Sequence, residues 1–171
     1  ISGHKHYSKN VYHNERLMEH ITPAVSGAWW QGDICLDGTP QGYTIYYVNG
    51  TDVSWRFKSF RHGLDYQFRL YPPGTYKDNP NDVVVNVWNW DPLWKVEWIE
   101  NEQNKGEMTR YSDLDADAIE LCSGDIKYHW IAPDPTDHMF KATPSDPKAQ
   151  IRIKVTDRFG NVFEQELKTV K

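Results

Sequence analysis

The sequence holds two cysteines, three methionines and no long hydrophobic run. A helix that crosses a membrane needs about 20 mostly apolar residues, and no stretch of even ten passes here without a polar one, so a membrane span is excluded. Cys35 and Cys122 allow at most one disulfide, and the sequence leaves their pairing open. One pair is neither a disulfide framework nor the four-ligand set of a structural zinc site. Clustered basic residues are missing too: 19 Lys+Arg against 24 Asp+Glu give a net charge of −5. That balance lacks the electrostatic grip with which nucleic-acid binders hold phosphates, so DNA and RNA are not expected partners. No Gly-x-Ser-x-Gly frame surrounds a serine and neither cysteine has a convincing His neighbour, which speaks against serine and cysteine hydrolase chemistry. The chain starts at Ile1 with no charged and apolar leader after it, and reads as a piece of a longer protein.

Aromatic residues are abundant, with eight Trp, ten Tyr and six Phe making 14% of the 171 residues, and that enrichment points to sheets over bundles. Most of the chain alternates every two residues between short turn signals. Tyr43, Ile45 and Tyr47 lead into Asn49-Gly50, and Val53, Trp55 and Phe57 lead out, which predicts a two-residue hairpin. Asn49-Gly50-Thr51 also matches a glycosylation sequon, but the flanking strands explain it without a modification. Further strands are predicted at Tyr66 to Tyr71, Val83 to Trp88, Trp94 to Ile99, Gly106 to Tyr111, Lys127 to Ile131, Ile151 to Val155 and Val162 to Leu167. The one helical candidate is Ser112 to Leu121, where Ser or Asp can cap and Leu114, Ala118 and Leu121 share a face. The expected class is mainly β, an antiparallel β-sandwich with little helix. Trp88, Trp90, Trp94 and Trp98 stand at even spacing and read as a core stripe before a sugar-stacking platform, with their exposure as the discriminator.

The first forty residues differ. His4, His6, His13 and His20 fall close together, and Gly27 to Gly42 carries Trp29, Trp30, Asp33 and Asp37 among glycines. In an extended chain residues i and i+2 share a face, so His4 and His6 are expected to present two imidazoles together, as a metal pair needs. A solvated tail with two histidines is the competing reading. His129 and His138, with Asp134 and Asp137 nearby, form a second and weaker metal candidate in a polar loop.

Gly3-His4-Lys5-His6, followed by Ser26-Gly27-Ala28-Trp29-Trp30, resembles the end of a calcineurin-like metallophosphoesterase catalytic domain, whose last metal motif is Gly-His-x-His. Asp37-Gly38-Thr39-Pro40, Asn86-Val87-Trp88-Asn89-Trp90-Asp91, Met108-Thr109-Arg110 and Thr156-Asp157-Arg158-Phe159-Gly160-Asn161 resemble the carboxy-terminal domain of secreted bacterial phosphoesterases of this type. The resemblance implies residues 1–26 as a remnant of the catalytic domain and 27–171 as a β-sandwich accessory domain. It further implies two divalent ions (Fe, Mn or Zn) in the full-length enzyme, with His4 and His6 each binding one, and an N-terminal catalytic domain of the same chain as partner. The substrate would be a phosphate ester and the location periplasmic or extracellular. Trp29, Asp33 and Asp37 are candidate substrate contacts, against the plainer expectation that the glycines and Pro40 shape a packed loop. The family's earlier motifs are missing, and Gly32-Asp33 and Gly124-Asp125 come after Gly-His-x-His, in the wrong order. The isolated chain is therefore expected to need no cofactor and to be inactive. The alternative is a carbohydrate-binding or protein-docking β-sandwich module.

Overall fold

A computed structural model describes residues 1–125 and 127–167. These residues are 44% strand and 5% helix, which places the chain in the mainly-β class with antiparallel sheets. They divide into two compact units, one of Ile1–Gln67 with Asp113–Thr136 and the other of Phe68–Ser112 with Asp137 onward.

The first unit is built from two hairpins, a glycine-rich loop and the helix. Strands β1 (Lys9–Asn14) and β2 (Leu17–Ile21) form one hairpin, and β3 (Gly42–Asn49) and β4 (Asp52–Ser59) the other. The second keeps register from Gly42↔Ser59 to Asn49↔Asp52. The hairpin forms as predicted but its two-residue loop is Gly50-Thr51, one residue later than Asn49-Gly50: Asn49 still pairs with Asp52, and Gly50 alone takes the left-handed φ of 61°.

The second unit is the β-sandwich. Its strands are β5 (Phe68–Tyr71), β6 (Val83–Val87), β7 (Lys95–Glu100), β8 (Gln103–Glu107), β9 (Thr109–Asp113), β10 (Thr136–Ala142), β11 (Ile151–Thr156) and β12 (Val162–Glu166). One sheet runs β5-β6-β10-β9 and the other β12-β11-β7-β8. Between them lie Phe68, Val83, Val85, Val87 and Phe140 from the first and Val96, Ile151, Ile153, Val155 and Phe163 from the second. Strand β11 shows the physics directly: Ile151, Ile153 and Val155 are buried while Arg152 and Lys154 turn outward, Arg152 to Glu102 and Glu164 and Lys154 to Glu97. Strand β6 is buried along its whole length, the mark of a strand covered on both faces. Trp94 is buried in this core, Trp90 and Trp98 pack against it, and Trp88 is buried outside it. None of the four is an exposed indole, and no sugar platform forms from them.

The helix α1 (Ala116–Ser123) starts four residues later than Ser112, because Asp115 is the cap: its Oδ1 accepts from the amides of Asp117 and Ala118, both at 3.1 Å. Asp115→Ala is expected to destabilise the fold by about 1–2 kcal/mol, read as a lowered urea midpoint at unchanged slope.

Two strand expectations are corrected, and three strands were not expected. Gly106 to Tyr111 is not one strand but the end of β8 and the start of β9, which pair in different sheets. Gly106 takes φ 93°, the register of β7 against β8 slips at Trp98/Ile99, and the buried Met108 sits at the corner where the chain changes sheet. Lys127 to Ile131 forms a turn, closed by the Ile131 amide on the Tyr128 carbonyl at 3.0 Å. β1, β2 and β10 were not predicted; β10 (Thr-Asp-His-Met-Phe-Lys-Ala) has little β-branched content, and its place is fixed by pairing Met139 to Ala142 with β6.

Candidate functional site

The Gly3 to Tyr7 segment is held at both ends. Ser2 pairs beside β2, donating from its amide to the His20 carbonyl at 2.9 Å and accepting from Thr22 at 3.1 Å. At the other end the Ser8 amide donates to Asp37 Oδ2 at 2.7 Å. Between them the backbone is not extended: His4 and His6 take φ 76° and 56°, in the left-handed region. The expected i, i+2 presentation on one strand face is thus replaced by a turn. His4 is exposed, and His6 is half-buried.

His6 is the better-placed of the two. Its Nδ1 lies 2.7 Å from the carbonyl oxygen of Gly27. A carbonyl oxygen only accepts, so Nδ1 carries the proton and the neutral ring keeps its lone pair on Nε2. The imidazole also stacks on Trp29, with centroids 4.2 Å apart and planes 14° from parallel. Its own carbonyl accepts from the Leu36 amide at 3.2 Å.

The receiving loop depends on backbone that glycine makes possible. Gly27 has φ 55°, and a Cβ there would lie 2.6 Å from the Ile34 carbonyl oxygen, which accepts from the Ala28 amide at 2.7 Å. Trp29 and Trp30 follow at φ 59° and 60°, so they stand on a left-handed turn. Trp29 is half-buried against His6, and Trp30 is 77% exposed. Below the turn, Ala28 and Ile131 pack with Leu36, Leu121, Cys122 and Tyr128.

Asp37 and Asp33 differ sharply. Asp37 is 1% exposed, and besides Ser8 it accepts from the Thr39 amide at 3.0 Å and the Thr39 hydroxyl at 2.8 Å. Its place is inside the loop, tying the exit of the histidine turn to the Cys35–Thr39 bend. Asp33 pairs with Arg61 at the surface. Asp134 completes the local charge set: its own burial and then the Asp37 charge push its carboxyl up, and Lys5 opposes them. Cys35 and Cys122 both carry free thiols, each pushed up by burial first, so neither is an activated nucleophile. His138 is buried on β10 with Nδ1 2.7 Å from Asn86 Oδ1, a structural placement.

The donor chemistry of His6 fits a metal ligand, because ligating imidazoles commonly give their other ring N–H to a backbone carbonyl. The donor count is smaller than a centre needs: among the described residues no group of three or more His, Cys, Asp or Glu is placed to hold an ion. No helix there is long and apolar enough to cross a membrane.

Trp29 also lines a second feature, one not anticipated from the sequence. Trp29, Trp30 and Gln31 face Lys127, Tyr128 and Trp130 across an open hollow of about 410 Å³. Gln31 joins its walls, accepting from the Lys127 amide at 2.6 Å and donating to the Trp29 carbonyl at 3.2 Å. Tyr128 and Trp130 lie about a hundred positions along the chain, in a segment whose alternation reads as a strand, so no local signal sets them beside Trp29.

Comparison with the curated proteins and with the solved structures gives no match. The family model described as the C terminal of Calcineurin-like phosphoesterase matches residues 19–163, beginning after His4 and His6 and spanning the Trp29 loop, the helix and nearly all of the sandwich. The chain therefore belongs to the family of carboxy-terminal domains of calcineurin-like phosphoesterases.

Proposed function

We propose that this chain is the accessory end of a metal-dependent phosphate-ester hydrolase, with catalysis in an N-terminal catalytic domain and His4 and His6 as the last ligands of its centre. Family membership supports the class, and the His6 Nδ1 to Gly27 contact at 2.7 Å is the observation behind the residue-level reading. Two divalent ions, when bound, supply Lewis acidity to the phosphoryl oxygens and a water of lowered pKa. The residues here orient: Gly27 fixes the His6 tautomer, Trp29 fixes the ring plane, and Asp37 holds the turn without reaching substrate. Asp33, paired with Arg61, lies on the solvent side of the same loop. A periplasmic or extracellular location accompanies this reading.

With only two donors in this segment, the chain alone is expected to be silent toward p-nitrophenyl phosphate and bis(p-nitrophenyl) phosphate in Mn²⁺, and the full-length protein active. A full-length protein inactive on both across Mn²⁺, Zn²⁺ and Fe²⁺ would sink the proposal.

A further inference from the structure

The hollow beside Trp29 is a binding site that the metal-ligand reading does not use. We propose that it receives the ring of an organophosphate, a flat base or a pyranose, with the anionic charge of the ligand met by Lys127. The proposal rests on the phosphoesterase reading only for the identity of the phosphate carrier; the binding itself is a property of this chain.

Three observations carry it. First, the lining is aromatic and open to solvent: Trp30 is 77% and Trp130 66% exposed, whereas Trp55, Trp88 and Trp94 are buried. Large exposed indoles cost hydration unless something covers them, and they gather where ligands stack. Second, the rings meet at angles. Trp130 stands edge-on to Trp29 at 5.3 Å and 69°, and tilted to Tyr128 at 5.9 Å and 31°. Such walls make a corner for one ring, where a long flat polymer needs a coplanar shelf. At about 410 Å³ the hollow falls within the range of roughly 300–1,000 Å³ usual for small-ligand sites.

Third, the charge of the lining has one sign. The Lys127 ammonium lies 4.9 Å from the centroid of Tyr128, and the other polar groups of the lining, the Gln31 amide and the Tyr128 hydroxyl, are neutral. A cation in the wall opposes a cationic ligand and favours an anionic one. The site also shares a wall with the histidine turn, because Trp29 contacts the His6 ring and lines the hollow. A ring lodged there would leave its phosphate directed to the rim or toward the His6 side of the same indole.

The test is a nitrogen–proton correlation titration of this chain, without metal, with AMP, glucose 6-phosphate, adenosine and inorganic phosphate. Eight tryptophans give separable indole N–H signals. The expected result is shifts at Trp29, Trp30 and Trp130, at least tenfold tighter for one of the two organophosphates than for inorganic phosphate. The tighter of AMP and glucose 6-phosphate then identifies the ring. Trp130→Ala is expected to weaken that binding about tenfold, and Lys127→Ala to bring AMP and adenosine to equal affinity. Indole shifts absent at 10 mM ligand, equal binding of all four compounds, or binding indifferent to Trp130→Ala would each overturn the site. Since no hydrolysis is read, an inactive full-length protein would remove the phosphoesterase reading and leave this result standing. An active one with an empty hollow would remove only the hollow.

Discussion

Substituting both turn histidines in the full-length protein, His4→Ala with His6→Ala, is expected to lower kcat/KM for p-nitrophenyl phosphate about a thousandfold or more. Removing merely an outer partner of a metal ligand typically costs ~10–100-fold in affinity or activity, and here two donors go at once. His6→Ala alone is expected to show the larger share, because its ring is fixed by Gly27 and Trp29 while His4 is exposed. Folding supplies the control. Losing the stack and one hydrogen bond takes about 1–2 kcal/mol from the first unit, a change that leaves the protein folded. Bound Mn²⁺ per mole should fall with activity. Unchanged activity in the double variant would make Gly-His-x-His an accident of sequence and leave ligand binding at the hollow as the role of this end of the chain.

How far the residues announce this arrangement depends on whether the cause is local. The β3–β4 hairpin is legible because Asn-Gly and two alternating strands are neighbours in sequence, and β11 because one face of it is uniformly branched and apolar. The tryptophan stripe is legible only in its burial: Trp90, Trp94 and Trp98 meet the sandwich core, but Trp88 follows Val87 out of β6 and is buried outside that cluster, and Asn89 at φ 60° breaks the strand spacing. What fails is long-range. The break between β8 and β9 is made by a bulge opposite Trp98, and nothing in Gly106 to Tyr111 alone prescribes a change of sheet. Lys127 to Ile131 alternates like a strand, yet Gln31 captures its amide, and Tyr128 and Ile131 pack on the Ala28 cluster without a neighbour strand to pair. In the histidine segment the extended backbone that the i, i+2 spacing predicts does not form. Positive φ at non-glycine residues is imposed by contacts that arrive from Leu36 and Gly27.

Asp37→Ala is expected to be the most damaging single change in the loop. The carboxylate accepts from two amides and a hydroxyl in a place where water does not reach. Deleting it leaves those donors buried and unpaired, at about 1–3 kcal/mol for each that finds no substitute. With the Thr39 hydroxyl able to turn away, we expect a total of about 3 kcal/mol, equivalent to a fall in Tm of ~6–12 °C for a chain of this size. Asp37→Asn keeps one acceptor oxygen at each geometry in turn but brings two new donors into the pocket, so it should recover less than half of the loss. The damage should also be confined. Ser8 and Thr39 belong to the first compact unit, so amide exchange should quicken there and in the His6 turn, while Ile153 and Val155 in the sandwich keep their protection. That pattern separates a residue that holds the histidine turn from one that contacts substrate. A substrate contact would leave exchange at Ser8 unchanged and alter only KM, and that outcome would return Asp37 to the lining of the cleft.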